Sequence, residues 1–262
     1  MYKAESKTNF YMDKNYYKEY FSLERNHWWF KVRAKIILLL IDKSLAKNKD
    51  NNRTVLNIGA ATGKTSEILA KYGEVTSLEY DKECCEFVNE NLPIKVINGS
   101  ILELPFADNT FDLVCAFDVI EHVEDDKLAL AEMKRVCKLN GLITLTVPAF
   151  KTLWSHHDIV NHHFRRYTKS NLTQLFTGNN LNYNFTTYYN SILFLPIFIF
   201  RLLTKIIPQN WIRKGAGTDA TLGSETGVVN KIMYQIFNIE LTLLKGMKFP
   251  FGVSIFMSAI KK

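Results

Sequence analysis

Short apolar runs alternate with amphipathic segments through the middle of the chain. Five runs rich in apolar and β-branched residues predict strands: RTVLNI (53–58), EVTSLEY (74–80), IKVING (94–99), FDLVCAFDVI (111–120) and LITLTVP (142–148). Three segments between them predict helices: KTSEILAKY (64–72), KECCEFVNENL (82–92) and DDKLALAEMKRVCK (125–138). Strands that alternate with helices predict an α/β fold, with a parallel sheet and right-handed crossovers.

The flanks of this region have a different pattern. Residues 9–48 predict helix with an aromatic break at HWWF (27–30). Regularity is lost after residue 149, and KFPFGVSIFMSAIKK (248–262) predicts a strand pair that closes the sheet. We therefore divide the chain into an N-terminal helical cap (1–48), an α/β core (49–150) and a substrate-side cap (151–262) whose last strands complete the sheet.

Composition narrows the function classes only slightly. The 262 residues are 47% hydrophobic and 23% charged, which is typical of a globular protein. A net charge of +7 favours anionic ligands, a membrane surface or nucleic acid, but Asn and Lys are abundant throughout and a general compositional bias explains it equally well. The four cysteines lack metal-site or disulfide spacing, and no signal peptide is visible, so we expect a cytoplasmic protein.

The apolar run SILFLPIFIFRLLTKII (191–207) is the most lipid-like segment. Pro196 and Arg201 interrupt it, and it is shorter than the roughly 20 apolar residues that a membrane span needs. It predicts a buried cap helix, the wall of an apolar acceptor pocket or a peripheral membrane contact through 191–214, where Lys205, Arg213 and Lys214 suit anionic lipid head groups.

The loop NIGAATGKTSEIL (57–69) carries the first candidate chemistry. Only three residues lie between Gly59 and Gly63, whereas a triphosphate-binding loop needs four before its Gly-Lys-Thr. A tight glycine turn after the first strand, with an acid about 20 residues on, is instead typical of nucleoside binding. Glu79 has that spacing and ends the second predicted strand. The full dinucleotide pattern is absent, because Ala61 and Lys64 replace two of its glycines.

In order and spacing, several stretches together resemble class I S-adenosylmethionine-dependent methyltransferases of the type 11 kind. They are VLNIGAATG, VTSLEYD, SILELPFADNTFDLV, AFDVIEHVED and EMKRVCKLNGLITLTVP, and the flanking ERNHWWFKVR and LWSHHDIVNHHFRRYT resemble a subgroup of that family. The resemblance implies a Rossmann-like, doubly wound, mainly parallel seven-stranded sheet with helices on both faces. It also implies S-adenosyl-L-methionine as cofactor and S-adenosyl-L-homocysteine as product.

The resemblance further implies a set of cofactor-binding residues. The glycine turn would line the methionine and ribose part, Glu79 would bind the ribose hydroxyls, and the segments after the third and fourth strands would contact the adenine and the reactive end. The residues are Gly59, Ala60, Ala61, Gly63, Glu79, Tyr80, Ser100, Ile101, Phe117 and Asp118. This chain departs from the family at Ala61, usually glycine, at Ser100, usually aspartate, and at Leu139-Asn140-Gly141, usually Pro-Gly-Gly.

The segment LWSHHDIVNHHFRRYT (153–168) follows the fifth predicted strand and can reach the same sheet edge. A neutral histidine beside a carboxylate is a good base near pH 7, so His157 or His163, with Asp158, is the predicted catalytic group. The alternative is a hydrogen-bonded loop that has no catalytic role. We also weighed a metal site built from His156, His157, Asp158, His162 and His163 but assigned no metal ligand.

Predicted substrate contacts complete the site. Guanidinium forks match anionic groups, so Arg165 and Arg166 could clamp an anionic substrate, with a solvated pair as the alternative. Glu121-His122 could equally be a structural pair that organises the following loop. The predicted set is Glu121, His122, Trp154, Arg165, Arg166 and Tyr167.

The sequence therefore predicts a methyltransferase that acts on a small-molecule or lipid-like acceptor, with O-methylation favoured over N- or C-methylation. Two alternatives stay open. A degenerate scaffold protein would explain Ala61 and Ser100, and RNA methylation would suit the positive charge, although no RNA-binding module or basic-aromatic platform is present in the sequence. The sequence names neither the acceptor nor the oligomeric state.

Overall fold

A computed structural model describes residues 14–45, 52–206 and 227–262. The remaining residues lie outside that description. They include residues 9–13 and 46–48 of the predicted N-terminal helix and residues 207–214 of the predicted membrane contact, with Arg213 and Lys214.

The described residues form one seven-stranded sheet with strand order β3-β2-β1-β4-β5-β7-β6. In chain order the strands are β1 (Arg53–Ile58), β2 (Gly73–Glu79), β3 (Val96–Asn98), β4 (Phe111–Phe117), β5 (Cys137–Pro148), β6 (Tyr183–Tyr189) and β7 (Ser254–Ile260). The pairs among β1 to β5 are all parallel, and β7 is antiparallel to both β5 and β6. The predicted α/β fold with a mainly parallel sheet is confirmed.

The α-helices of the described residues are α1 (Lys14–Asn26), α2 (Trp28–Ser44), α3 (Lys64–Leu69), α4 (Lys82–Asn91), α5 (Asp126–Val136), α6 (His156–Val160), α7 (Lys169–Gly178), α8 (Phe194–Ile206) and α9 (Val228–Gly246). Short 3-10 turns lie at Ala70–Tyr72, Ile120–His122 and Lys151–Leu153.

Helices cover both faces of the sheet. Side chains alternate between the two faces along each strand, so the strands place apolar side chains on both faces for helices to bury. On β4, Val114 and Ala116 belong to one buried cluster with residues of α5 and α7. Leu113 and Cys115 belong to the other, with residues of α2, α3 and α9. The N-terminal helix α2 is therefore part of the main core rather than an appendage.

Three sequence-based boundaries are wrong. The predicted fourth strand continued to residue 120, but β4 ends at Phe117 because Asp118 has φ 57°. The predicted fifth strand began at 142, whereas β5 begins at Cys137. Residues 248–262 contain one strand, β7, and its partner at the sheet edge is β6, which lies far earlier in the chain.

The aromatic break predicted at 27–30 is a single residue wide. Helix α1 ends at Asn26, and His27 has an extended conformation with ψ 137°. Its Nδ1 accepts a hydrogen bond from the backbone N–H of Trp29, which satisfies a donor that the first turn of α2 would otherwise leave unpaired.

Helix α8 occupies most of the lipid-like run 191–207. It exposes a row of apolar side chains: Leu195, Ile199, Phe200, Leu202 and Leu203. None of the helices that the structure describes is both long enough and apolar enough to span a bilayer.

A buried carboxylate fastens α9 to the segment after β6. One oxygen of Glu240 accepts hydrogen bonds from the backbone N–H groups of Ser191, at 2.8 Å, and Ile192, at 3.1 Å. Glu240 itself is fully buried.

Replacing Glu240 by leucine should therefore leave two backbone donors unpaired. We expect the free energy of unfolding to fall by about 2–4 kcal/mol, since each unsatisfied donor costs roughly 1–3 kcal/mol. Glu240→Gln retains an acceptor oxygen and should lose clearly less. Urea denaturation of both variants measures this, and equal losses would contradict the assigned role.

Candidate active site

The turn between β1 and α3 is built from left-handed backbone. Gly59, Ala61 and Gly63 have φ values of 74°, 46° and 89°. The N–H groups of Gly59 and Ala60 both donate to the carbonyl of Leu78 on β2, which holds the turn against the neighbouring strand. Such φ values favour glycine, so Ala61 adopts a conformation that is costly for a residue with a Cβ atom.

Two of these positions also lack room for a side chain. A Cβ atom on Gly59 would lie 2.5 Å from Cγ2 of Val119, and one on Gly63 would lie 2.8 Å from Cδ1 of Leu92. The backbone conformation therefore favours glycine at both positions, and a side chain at either would also force Val119 or Leu92 to shift.

Glu79, at the end of β2, faces this turn. Its Oε2 accepts a hydrogen bond of 2.9 Å from the N–H of Ala61, and its Oε1 accepts one of 3.1 Å from the N–H of Asp81. Burial raises the Glu79 pKa, and the backbone hydrogen bonds oppose that effect. Each carboxylate oxygen has a second lone pair, so the group can still accept hydrogen bonds from two ribose hydroxyls. The geometry therefore fits a bound nucleoside.

The other residues predicted to lie near the adenine have different environments. Ser100 Oγ accepts a hydrogen bond from the N–H of Leu102 at 3.1 Å, Ile101 is buried in the core, and the Tyr80 side chain is exposed. Ser100 therefore already uses its oxygen within the chain, although its hydroxyl can still donate.

Helix α1 packs on the glycine turn through contacts that the sequence did not predict. The buried Glu24 carboxylate accepts a hydrogen bond from Thr62 Oγ1, and Tyr17 donates to Asp81 Oδ2 at 2.9 Å. Burial raises the Glu24 pKa to about 7, against the opposing hydrogen bond from Thr62. The N-terminal helix thus contacts the turn that precedes α3 and the residue that caps α4.

Asp118 forms a partly buried ion pair directly after β4. Arg33 of α2 donates from Nη2 to Asp118 Oδ2 at 2.6 Å, and Thr146 Oγ1 of β5 donates to Oδ1 at 3.0 Å. Asp118 and the buried Phe117 thus lie where the prediction placed them, at the carboxyl edge of the sheet, but Arg33 was not among the predicted site residues.

Asp158 is the centre of a second buried network. Its Oδ1 accepts hydrogen bonds from His163 Nδ1, at 2.8 Å, and Arg166 Nε, at 2.7 Å, and its Oδ2 accepts from the N–H of Ser155 at 2.8 Å. Burial alone would raise the Asp158 pKa, but the hydrogen bond from His163 and the charge of Arg166 hold it well below its usual range.

This network distinguishes the two predicted bases. Asp158 bonds to His163 through Nδ1, which fixes the orientation of that ring and turns Nε2 away from the carboxylate. His157 Nδ1 instead lies 3.1 Å from the side-chain amide of Asn161, and its ring centroid is 5.8 Å from that of His163. Of the two, His163 has the carboxylate partner that a general base requires.

Glu121 and His122 join this group from the turn after β4. The rings of His122 and His163 are perpendicular, with centroids 4.5 Å apart. Desolvation by the surrounding side chains and the neighbouring His163 lower the His122 pKa to about 4, while part of the residue is solvent-exposed. Glu121 is 0% exposed, and neither of its carboxylate oxygens has a hydrogen-bond partner among the described residues. Burial, with the charge of Asp118, raises the Glu121 pKa well above its usual range.

The predicted contact of Arg165 and Arg166 with an anionic substrate stays a prediction, and both residues also pair with carboxylates of the chain. Arg166 is buried and also donates to the carbonyl of Ala149, while Arg165 pairs with Asp126 at 3.0 Å and donates to the carbonyl of Val123. Tyr167 is buried and donates to the same Asp126 carboxylate at 2.8 Å. Both guanidinium groups are used within the chain, and Trp154, half-buried after the turn Lys151–Leu153, keeps its substrate role as a prediction.

A glycine turn after the first strand, with a carboxylate at the end of the second, defines a nucleoside-binding α/β protein of the Rossmann type. Residues 56–145 match the family model described as a methyltransferase domain. The resemblance seen in the sequence is confirmed: this chain carries a class I S-adenosylmethionine-dependent methyltransferase domain, and S-adenosylmethionine is its cofactor.

Known proteins agree with that assignment. A demethylmenaquinone methyltransferase of Staphylococcus aureus (strain JH9) is 32% identical over 114 residues, which is 38% of this chain and 47% of that protein. The chain thus spans about half the length of the curated relatives it matches.

Solved structures show the same fold over most of the chain. A methyltransferase from Thermotoga maritima is 13% identical, with a TM-score of 0.57 over 95% of this chain and 96% of that chain. The cyclase SpnF is 14% identical, with a TM-score of 0.55 over 86% of this chain and 80% of that chain.

Breaking the buried pair between Asp158 and Arg166 tests the second network. Asp158→Asn removes the carboxylate that pairs with the buried Arg166, so we expect a loss of about 3–5 kcal/mol in the free energy of unfolding at pH 7. Glu86→Gln breaks an exposed pair with Lys82 and should cost less than about 1 kcal/mol.

The stabilisation that Asp158 provides should depend on pH in a definite direction. The folded-state pKa of Asp158 lies below its unfolded value of 3.8. Its contribution to the free energy of unfolding is therefore complete above that pH. The advantage of the wild type over Asp158→Asn should therefore shrink as the pH falls below 3.8. Chemical denaturation at several pH values measures it, and equal, small effects of Asp158→Asn and Glu86→Gln at pH 7 would contradict a buried charge pair.

Proposed function

We propose that this protein transfers the methyl group of S-adenosylmethionine to a hydroxyl group of a small-molecule or lipid-like acceptor. The observation that carries the proposal is the polar cluster of Glu121, His122 and His163, which lies with Asp118 at the carboxyl edge of the sheet. Methyl transfer from a sulfonium requires little more than alignment unless the acceptor must lose a proton. A His–carboxylate cluster at this edge therefore favours O-methylation.

The residues of this chain would have the following roles in the reaction. The turn from Gly59 to Gly63 and the Glu79 carboxylate bind the nucleoside and the methionine part of the cofactor. When bound, S-adenosylmethionine supplies an electrophilic methyl group on a sulfonium. The acceptor hydroxyl loses its proton at the cluster, where Asp158 orients the predicted base His163.

An aromatic cluster beside the same edge supports an apolar acceptor. Phe150 follows β5 and stacks on Tyr188 with centroids 5.2 Å apart, and Phe194 of α8 lies 5.9 Å from Phe150 and 5.4 Å from Phe251. The exposed apolar side chains of α8 continue this surface. The curated relatives are named for demethylmenaquinone, and a small-molecule acceptor here agrees with that name.

The fold alone does not determine the reaction, since a cyclase shares it. Turnover must therefore be measured directly. The protein should be incubated with S-adenosylmethionine labelled with deuterium in its methyl group and with long-chain alkyl phenols, matched anilines or total RNA. Mass spectrometry then detects S-adenosylhomocysteine and the labelled product.

We expect labelled aryl ether to form together with S-adenosylhomocysteine, and the phenols to react faster than the anilines. Glu79→Ala should reduce turnover by roughly a hundredfold at subsaturating cofactor, because two charge-assisted hydrogen bonds are lost. Glu83→Ala, a neighbouring acidic residue outside the turn, is the matched control. Label in RNA rather than in the phenols would contradict the acceptor class, and full turnover by Glu79→Ala would contradict the cofactor site.

A further inference from the structure

We propose that Glu121, His122 and His163 form a binding site for a divalent transition-metal ion, with Zn²⁺ as the expected occupant. One potential ligand atom from each residue lies within 4.8 Å of the others. The ligands come from two separate segments, the turn after β4 and the loop after α6, which the hydrogen bond from the N–H of Phe164 to the carbonyl of Glu121 holds together at 2.8 Å.

The carboxylate of Glu121 is the strongest indication of a missing partner. Three buried or half-buried carboxylates lie in this region, and two of them have a guanidinium partner: Asp118 pairs with Arg33, and Asp158 pairs with Arg166. Glu121 is as fully buried as Asp158, yet it has no hydrogen-bond partner for either oxygen among the described residues. Burying a charged group without a partner is very costly, and buried charges are normally paired or coordinate a metal.

His163 bonds to a carboxylate through its other ring nitrogen, as metal-binding histidines usually do. A ligating imidazole almost always donates its other ring N–H to a carboxylate or carbonyl, which fixes its tautomer and orientation. Asp158 accepts that bond from Nδ1, so Nε2 is the nitrogen available to a metal. Asp158 is itself held by Arg166 and by the N–H of Ser155, so the ring is placed before any ion binds.

The donor set selects the class of ion. Two imidazole nitrogens and one carboxylate oxygen are a known three-ligand set of catalytic zinc sites, which leave a fourth position open. The same donors suit other first-row transition metals, whereas Mg²⁺ and Ca²⁺ prefer sites made of oxygen ligands.

The metal would give the cluster its role in the reaction, and this part of the inference rests on the proposed function. An acceptor hydroxyl bound at the open position has a lowered pKa and loses its proton to water. Its oxygen then forms a bond to the methyl carbon while the carbon–sulfur bond breaks and its electron pair stays on sulfur. The products are the methyl ether, S-adenosylhomocysteine and a hydrated proton. His163 would then act as a ligand rather than as the proton acceptor.

Metal binding can be tested without an acceptor. The full chain is stripped with a chelator, titrated with Co²⁺ and monitored by visible absorption, and separately equilibrated with Zn²⁺, desalted and assayed for metal by mass spectrometry. The test variants are Glu121→Gln and His122→Gln. The matched control is His156→Ala, which removes an exposed histidine of the same loop outside the cluster.

We expect the wild type and His156→Ala to retain one zinc ion per chain and to show the visible bands of tetrahedral Co²⁺. Both cluster variants should bind Co²⁺ at least roughly tenfold more weakly. Zinc should raise the melting temperature of the wild type but not of Glu121→Gln, which separates loss of metal from loss of folding.

Several results would overturn the inference. They are absence of Co²⁺ bands and of retained zinc in the wild type, wild-type affinity in both cluster variants, or an equal loss in His156→Ala. Calorimetric binding of S-adenosylmethionine by the same samples separates the two proposals. If the protein binds the cofactor but no metal, only the metal site is contradicted. If it binds metal but no cofactor, the proposed function is contradicted instead.

Discussion

The partly buried ion pair between Arg33 and Asp118 is the contact on which the arrangement of the active edge depends. Asp118 ends the central strand β4 in a left-handed conformation, and its carboxylate bonds to Thr146 on β5 as well as to Arg33 on α2. One side chain thus connects two strands of the sheet with the N-terminal cap. Because Glu121 follows within one turn, the same contact places the cluster of Glu121, His122 and His163 beside the cofactor edge.

The three acidic side chains of this edge show how environment sets the state of chemically similar groups. Guanidinium and imidazole partners keep Asp158 ionised, with a pKa well below its usual range. Arg33 pairs with Asp118. Glu121, with no such partner, has a pKa raised by burial. A cation is the partner that Glu121 lacks among the described residues, which is why the metal site follows from the pattern of pairing rather than from any single residue.

Much of the fold could be predicted because its signals are local. The buried strands β1 to β5 are short β-branched runs, and Glu79 was found by its spacing from Gly59. The contacts that were missed join distant segments: Arg33 and Asp118 are 85 residues apart, and Glu24 and Thr62 are 38 apart. The hydrophobic periodicity of a sequence carries no information about such distant pairs. The metal-ligand set was missed for the same reason, since Glu121 and His163 meet only when β4 and the loop after α6 share one edge.

The most direct test of the account is calorimetric titration of the purified protein with S-adenosylmethionine and S-adenosylhomocysteine, alongside Glu79→Ala. The account predicts binding of both ligands by the wild type and affinity roughly a hundredfold weaker in the variant, since the carboxylate provides two charge-assisted hydrogen bonds. Failure of the wild type to bind either ligand would mean that Ala61 and Ser100 have closed the site. The protein would then be a scaffold with a methyltransferase fold.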